Sequence, residues 1–459
     1  MSLTLYWLPL NTETIDELSA HPWGSDDASH PGIFIVHSGE QPQRLVLPLE
    51  GGALELGRDE LAAAGIPDAR MSRRHLRVEI DAEGWTVHDL GSRNGTFVDG
   101  RQVQVARRLR NPVVRVGRTL LLPVGDRRPY ESPGVTVQAG VVTGPTMASF
   151  YERITLIAQS GANLLINGNS GTGKELAANA FHAAGDKARP FVAVNCATIQ
   201  REIAERILFG ARRGAYTGAV ADAVGVVQAA DRGTLFLDEV AELDLAVQAK
   251  LLRVLETKRV APLGSVTDIA VDVRLCAATH KDLRAEVAAG RFREDLYFRI
   301  GRPALRLPPL RERREEIPWL IEQALAAQSV RVTAGAEFIE ACLLRAWPGN
   351  VRELLAEAKT AAVAAVAARR GAILASDLDD EAGRVHGPNS ERSSERFEEK
   401  SDTDARSEAP APDTAAIEAA LRAEQGNVAR AAARLGLARS KLRRAIERQG
   451  IDVKALRSG

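Results

Sequence analysis

The chain has 459 residues, 45% of them hydrophobic and 26% charged, with 60 Lys and Arg set against 60 Asp and Glu. This is the balance of a soluble globular protein of about three domains at ~100–200 residues each, and it excludes nucleic-acid binding through bulk charge, leaving only local asymmetry to supply it. Three widely separated cysteines, Cys196, Cys276 and Cys342, offer neither a disulfide framework nor metal-ligand spacing, as suits a reducing compartment.

The opening "MSLTLYWLPLNTETIDEL" lacks a basic n-region and turns acidic at once, so it is a poor signal peptide. Residues 30–126 alternate in the manner of short strands: Leu76, Val78 and Ile80 share one face, "DAEG" turns the chain, and Trp85 and Val87 resume the pattern. "FVDGRQV" carries an Asp-Gly hairpin turn. This block is expected to be an all-β sandwich. Residues 140–305 alternate apolar strands ("NLLING", "PFVAVNCA", "GTLFLDEV", "VDVRLCAAT") with helical stretches, the pattern of a mostly parallel α/β sheet. Residues 306–375 read as helical throughout, and "TAAVAAVAARRGAILA" within them is a packed helix interrupted by two arginines, not a membrane span. Residues 376–412, which end in "EAGRVHGPNSERSSERFEEKSDTDARSEAPAP", hold few large apolar side chains and read as a flexible linker. Residues 413–455 form a last, all-α unit. A cytoplasmic protein without membrane association is expected.

"GNSGTGKE" follows the strand "NLLIN" and precedes a helical pattern, as a phosphate-binding P-loop must. Gly168, Ser170, Gly171, Thr172 and Gly173 allow successive backbone N–H groups to face phosphate oxygens, Lys174 adds a point charge, and Glu175 stands where a Mg²⁺-touching Ser or Thr is usual. Further on, "GTLFLDEV" ends a strand with Asp238 and Glu239. Such a pair suits ATP hydrolysis, with Asp238 holding Mg²⁺ and Glu239 polarising the attacking water.

In order along the chain, "GNSGTGKE", "PFVAVNCA", "LFGARRGAYTGA", "GTLFLDEV", "GRFREDLYFRI" and "WPGNVREL" resemble the AAA+ domain of bacterial sigma-54-dependent transcriptional activators. That family itself carries Glu after the P-loop lysine. The resemblance implies that Asn195 restrains Glu239 until the γ-phosphate is sensed, that Arg293 and Arg299 are arginine fingers reaching a neighbouring subunit's nucleotide, and that Arg352 is a lid arginine on the bound nucleotide. Fingers acting in trans imply a homo-oligomer, from dimer to hexameric ring. His280 stands where the family usually has Asn to read the γ-phosphate, which implies slower or pH-sensitive turnover.

The stretch Gly214, Ala215, Tyr216, Thr217, Gly218 and Ala219 occupies the position of the family's sigma-54-contacting loop, with Tyr in place of Phe. Glycines at both ends permit a hinge, and Tyr216 supplies a rigid apolar contact with a polar tip. The implied partner is the sigma-54 RNA polymerase holoenzyme.

Nearer the N-terminus, "LGR", "SRRH" and "GSRNGTFVDG" resemble the forkhead-associated (FHA) domain, which binds phosphothreonine peptides. Arg58, Ser72, Arg73 and Asn94 match its phosphate- or peptide-contacting positions, His75 reads as structural beneath the loops, and Arg93 stands where Thr is frequent. Charged and hydroxyl donors are the right partners for a phosphate. No receiver domain precedes the ATPase, so Ser/Thr kinase signalling is the expected input. "GNVARAAARLGLARSKLRRAIERQG" resembles the Fis-type helix-turn-helix of the same activators. Arg439, Ser440 and Arg443 are the candidates for base-edge contact, Lys441 and Arg444 add to the basic surface, and Gly436 makes the turn. Upstream, enhancer-like DNA is the implied partner. Two rival readings stay open: a signalling or DNA-binding protein with a dead ATPase, which only His280 supports, and an AAA+ machine with another client, from which only the 214–219 loop separates it.

Overall fold

The computed structural model describes residues 30–217, 219–327, 332–385 and 414–423, together with Arg434. The chain divides into two units, Met1–His386 and Gly387–Gly459.

The N-terminal block is a β-sandwich. Gly32–Ser38 pairs antiparallel with Gln41–Pro48 and Thr119–Val124 at one side of a six-stranded sheet that Val114–Val116, Thr96–Val98 and Arg101–Val103 complete. Ala53–Leu56, Leu76–Asp81, Gly84–Asp89 and Val105–Leu109 form the second sheet. The expected Asp-Gly turn joins Thr96–Val98 to Arg101–Val103, with Asp99 at φ 48° and Gly100 at φ 78°, the left-handed pair that a two-residue hairpin requires.

A strand with one wet face alternates in polarity, because successive side chains point to opposite faces. Gly32–Ser38, reading "GIFIVHS", is instead buried along its whole length. Ile33 and Ile35 enter the sandwich core with Leu76, Val78 and Leu121. Phe34 and Val36, with Leu120 and Leu122, face the other way and share one apolar cluster with Ile317, Ile321, Leu325 and Phe338 of the helical lid. The sandwich is therefore seated on the lid. Polar contacts frame the seat: Arg115 Nε donates to Glu340 Oε2 at 2.6 Å, Thr333 Oγ1 to Glu40 Oε2 at 2.7 Å, and the Arg44 guanidinium lies 4.3 Å from the Trp319 ring.

The central block is a five-stranded parallel sheet in the order Phe191–Asn195, Thr234–Asp238, Arg274–Thr279, Leu164–Asn167, Ala304–Arg306. The three inner strands, Thr234–Asp238, Arg274–Thr279 and Leu164–Asn167, are buried almost throughout by flanking helices, which explains their apolar runs. Register aligns Asn195 with Asp238 and Asn167 with Thr279, so the chain leaves four strands along one carboxyl edge. In open α/β sheets this edge is where ligands bind.

The lid contains Ile317–Ala326, Ala336–Leu343 and Asn350–Ala367. Ala358, Ala361, Ala362 and Ala365 recur at helical spacing on the buried face of the last, letting its neighbours approach closely. The block is not helical throughout: Thr333–Ala334 and Ala372–Ile373 form a short parallel pair. Nor does the linker begin at residue 376. Leu378 and Ala382 are buried in the lid core, and Gly383 N donates to Glu353 Oε1 at 2.8 Å, so residues 376–385 belong to the lid.

In the second unit, Thr414–Ala423 is a helix that buries Ile417, Ala420 and Leu421. The remainder of the expected 413–455 module, including Arg439, Ser440, Lys441, Arg443 and Arg444, lies outside the described residues, apart from Arg434. Among the described residues no helix is long and apolar enough to cross a membrane.

Candidate functional site: a phosphate-binding cleft, a clamped loop and a basic sandwich end

Residues 168–173 connect Leu164–Asn167 to the helix Lys174–Asp186. Gly171 and Gly173 take φ of 76° and 104°, which only glycine adopts without strain. A Cβ at Gly171 would also come 2.2 Å from the Gly349 carbonyl, because the lid is stitched directly onto this loop. Val351 N donates to Gly171 O at 3.1 Å, Asn350 Nδ2 to Ser170 O at 2.9 Å, and Arg352 Nη1 to Ser170 Oγ at 3.2 Å. Thr172 Oγ1 closes the loop on Asn169 O at 2.7 Å.

Across the loop lies Glu239, at φ 52°, just past the end of Thr234–Asp238. Lys174 Nζ lies 2.7 Å from its Oε1, and His280 approaches its Oε2 through Nδ1 at 2.6 Å and through the backbone N at 3.2 Å. Burial alone would raise the Glu239 carboxyl, but the Lys174 and His280 bonds outweigh it and hold the group below the usual carboxylate range. Asp238 goes the other way: burial raises it against the pull of Lys174. Two adjacent carboxyls are thus pushed apart in proton affinity, the arrangement expected where they have different tasks. Asn195, expected on Glu239, instead places Nδ2 3.4 Å from Asp238 Oδ2, because strand pairing sets it opposite that residue.

The cleft measures about 530 Å³ and is lined by Ser170, Gly171, Thr172, Gly173, Lys174 and Glu175 together with Asn195, Asp238, Glu239 and Arg352. The expected nucleotide residues thus meet at one place, except that His280 stands behind Glu239 and Gly168 sits beneath the lysine, accepting from Nζ at 3.1 Å. Arg293 and Arg299 do not line this cleft. Arg293 pairs with Asp295 at 2.7 Å, and Arg299 Nη2 donates to Leu255 O at 3.0 Å, both on an exposed flank.

The 214–219 loop stands on a fixed base. Gly210 ends the helix Arg201–Phe209 at φ 80°, and Ala211 bridges to both Ala223 and Leu263. Arg212 pairs with Asp222 at 2.5 Å, and Gly214 N donates to Ala219 O at 2.9 Å. Tyr216 and Thr217 are exposed at the tip, and Arg206 Nη1 donates to the Tyr216 hydroxyl at 2.8 Å. Gly218 lies outside the described residues. A neighbouring hairpin, Arg259–Val260 with Ile269–Ala270, leans on the loop: a Cβ at Gly264 would come 2.8 Å from the Ala215 Cβ. Sequence reasoning did not find this hairpin, although fully exposed Val266 between two short polar runs is its trace.

At one end of the sandwich, His75 is fully buried and ties two loops together. Its Nδ1 accepts from Ser72 N at 3.1 Å, so the Nε2, 3.1 Å from Gly95 O, carries the proton. Ser72 Oγ accepts from Arg93 N at 3.0 Å, and Asn94 Nδ2 donates to Arg70 O at 2.5 Å. Arg58, Arg73 and Arg93 are exposed beside them. The four expected contact residues are thereby held within one loop cluster, with Arg58 N bonded to Ser72 O at 2.9 Å.

Four family models tile the chain: an FHA domain over residues 54–114, the Sigma-54 interaction domain over 141–306, an AAA+ ATPase lid domain over 311–395, and the Fis family of bacterial regulatory proteins over 413–448. The chain belongs to the sigma-54-dependent transcriptional regulators. This regulator is 45% identical over 260 residues to the response regulator protein PilR of Pseudomonas aeruginosa, covering 55% of this chain and 54% of PilR. It is 44% identical over 257 residues to the anaerobic nitric oxide reductase transcription regulator NorR of Shigella flexneri, covering 55% of this chain and 50% of NorR. A crystal structure of NtrX from Brucella abortus is 32% identical, with 66% of this chain and 68% of that one covered at a TM-score of 0.49. The sigma-54-dependent regulator spans about half the length of the curated relatives it matches.

Sequence reasoning also missed Arg313, Glu316 and Asn350 of this regulator. The first two line the cleft, and Asn350, buried at φ 53°, bonds the P-loop through Nδ2 and Leu310 N through Oδ1. Their signal in the sequence was limited to a run of charge, Arg311 to Glu316, that reads as a solvated surface, and an Asn after Gly at the start of a helix.

Proposed function

We propose that the chain is an ATP-driven activator that binds upstream DNA, hydrolyses ATP at the 168–175 cleft and uses the cycle to remodel sigma-54 RNA polymerase holoenzyme under the control of a phosphothreonine ligand. One observation carries the reading: Glu239 is held on both oxygens, by Lys174 and His280, beside Asp238 in a cleft that the lid closes through Arg352. A phosphate group entering there competes with Glu239 for Lys174, which frees one carboxylate oxygen to orient water. Backbone N–H groups of residues 170–174 would take the β- and γ-phosphates at the start of the helix Lys174–Asp186.

Among the described residues no cluster of three His, Cys, Asp or Glu side chains is poised for a metal. A Mg²⁺ ion fits all the same, since such ions keep several waters and take one or two carboxylates plus phosphate oxygens. Asp238 would hold it, and it would supply charge neutralisation at the phosphates. Arg293 and Arg299 are exposed and do not line their own cleft, which supports a role for them on a neighbouring copy's nucleotide in a ring. Release of Glu239 would be passed to the 214–219 loop, whose Tyr216 then presses on sigma-54.

Arg58, Ser72, Arg73 and Asn94 would hold the phosphothreonine peptide, and the Fis-family segment would place the ring upstream of its promoter. The decisive experiment measures phosphate release and sigma-54 capture in the presence of ADP and a phosphoryl-transfer mimic. Capture that requires the mimic, with turnover abolished in Glu239→Ala, supports the reading. Turnover without any nucleotide-dependent capture of sigma-54 would transfer the ATPase to another client.

A further inference from the structure

Residues 313–316 present four ionisable side chains in succession, and the turn divides them into two pairs. Arg313 and Glu316 face the cleft. Arg313 Nη2 donates to the Thr172 carbonyl of the P-loop at 2.7 Å and Nη1 to Glu316 Oε2 at 3.1 Å, while Glu316 Oε1 accepts from Gly144 N at 2.7 Å. Their side chains are only 5% and 0% exposed. Arg314 faces the sandwich, and Glu315 packs beside it. Arg314 Nη2 donates to the Asn111 carbonyl at 2.6 Å, and buried Glu315 lies within electrostatic reach of Tyr130 and against Gly144, where a Cβ would meet its Oε1 at 2.6 Å.

This turn is costly. Arg313 Nε and Glu315 Oε1 are buried without a hydrogen-bond partner among the described residues. Buried ion pairs are weak stabilisers, and apolar replacements of similar volume are often neutral or better. Such a cluster in an otherwise apolar wall between lid and sandwich calls for a role other than stability. The geometry supplies one. A carbonyl and the following N–H share one rigid peptide plane, so a bond to Thr172 O also fixes the direction of Gly173 N–H, one of the donors that faces phosphate.

We infer that residues 313–316 couple the seat of the FHA domain to the phosphate-binding loop, with Arg313 as the positioning residue for the Thr172–Gly173 peptide and Arg314 as its connection to the sandwich. The inference rests on the reading of residues 168–175 as the nucleotide site. Arg314 touches no residue of that loop, yet its removal changes how well the loop holds phosphate. Networks of this kind shift affinity by about two- to thirtyfold.

The test uses the full chain, with ADP binding by titration calorimetry and ATP turnover by phosphate release. Arg313→Ala is expected to weaken ADP by about tenfold, and Arg313→Lys, which retains one donor for Thr172 O, to recover part of the loss. Arg314→Ala is expected to weaken ADP at least threefold and to raise KM for ATP with little change in kcat, which general loosening of the fold would not do. Arg314→Met, which keeps the apolar stem, serves if the alanine variant melts early. ADP affinity and KM within twofold of the parent in an Arg314 variant that melts normally would overturn the coupling, and the same result for Arg313→Ala would remove the positioning role. A parent chain that binds no ADP is a separate failure, that of the nucleotide reading, and takes the inference with it.

Discussion

His280 Nδ1 lies 2.6 Å from Glu239 Oε2, so the residue that departs from the family pattern is bonded to the carboxylate proposed to orient water. Asparagine at the same position has a shorter side chain, whose amide N–H reaches that oxygen less closely and leaves it more available. His280→Asn is expected to hydrolyse ATP at least as fast as the parent. A weaker bond from residue 280 also removes part of what holds the Glu239 carboxyl low against burial, so the acid limb of the kcat profile should move to higher pH. Phosphate release across about pH 5–9 checks both, and a large loss of turnover would remove this role from His280.

The Arg299 side chain bonds the Leu255 carbonyl of its own chain, and the Arg293 side chain pairs with its neighbour Asp295, both away from the cleft. Arg299→Ala and Arg293→Ala should therefore bind ADP as the parent does and still lose turnover by about 10³-fold, the order seen for a missing arginine finger. Mixing an Arg299→Ala chain with a Lys174→Ala chain provides the sharper measurement. Recovered phosphate release in the mixture is expected, since one chain brings the finger and the other the site.

Tyr216 is tethered by its hydroxyl to Arg206 at 2.8 Å. Tyr216→Phe keeps the ring and loses the tether, so transcript output in a reconstituted assay should equal or exceed that of the parent. Tyr216→Ala should leave phosphate release within twofold, an order-of-magnitude allowance for a distant surface change, and abolish open-complex formation. Unchanged output from the alanine variant would remove the loop from the mechanism.

Burial pushes the Glu315 carboxyl up to about 8, with Glu316 adding to the effect. A carboxyl raised on folding binds its proton more tightly in the native state, so stability declines as pH climbs from the unfolded value near ~4.5 towards the folded one. Glu315→Gln has no such dependence. Its melting temperature should gain on the parent's between pH 6 and 8, by at most about 3 kcal/mol of stability at ~1.4 kcal/mol per pH unit, and a constant difference across that range would contradict a protonated Glu315.

Much of this site was legible in the sequence because its parts are local. Glycines followed by Lys174 after an apolar strand, and Asp238–Glu239 at the end of another, announce a phosphate cleft through spacing alone, and the strand register then brings them together. The Asp-Gly turn at Asp99 and Gly100 was readable for the same reason. What escaped depends on tertiary contact. Nothing local says that Asn195 lies opposite Asp238 and not Glu239, since that is a matter of which strands pair. Residues 376–385 look polar enough for a linker, and only the fit of Leu378 and Ala382 into the lid core retains them. The charges of residues 313–316 resemble a solvated surface until the sandwich is placed against them.

Gly32–Ser38 has no face turned to water, and this limits how a ligand on the sandwich could act on the rest of the chain. Lifting the sandwich away would wet Phe34, Val36, Leu120 and Leu122, at roughly 1.5–3 kcal/mol for each side chain. A removable cap, shed when its ligand arrives, is thus an expensive design for this molecule. Under the proposed function, a sandwich that stays in place and transmits torque through its mount is the cheaper one, and by thermodynamic reciprocity its grip on a ligand would be retuned by nucleotide binding.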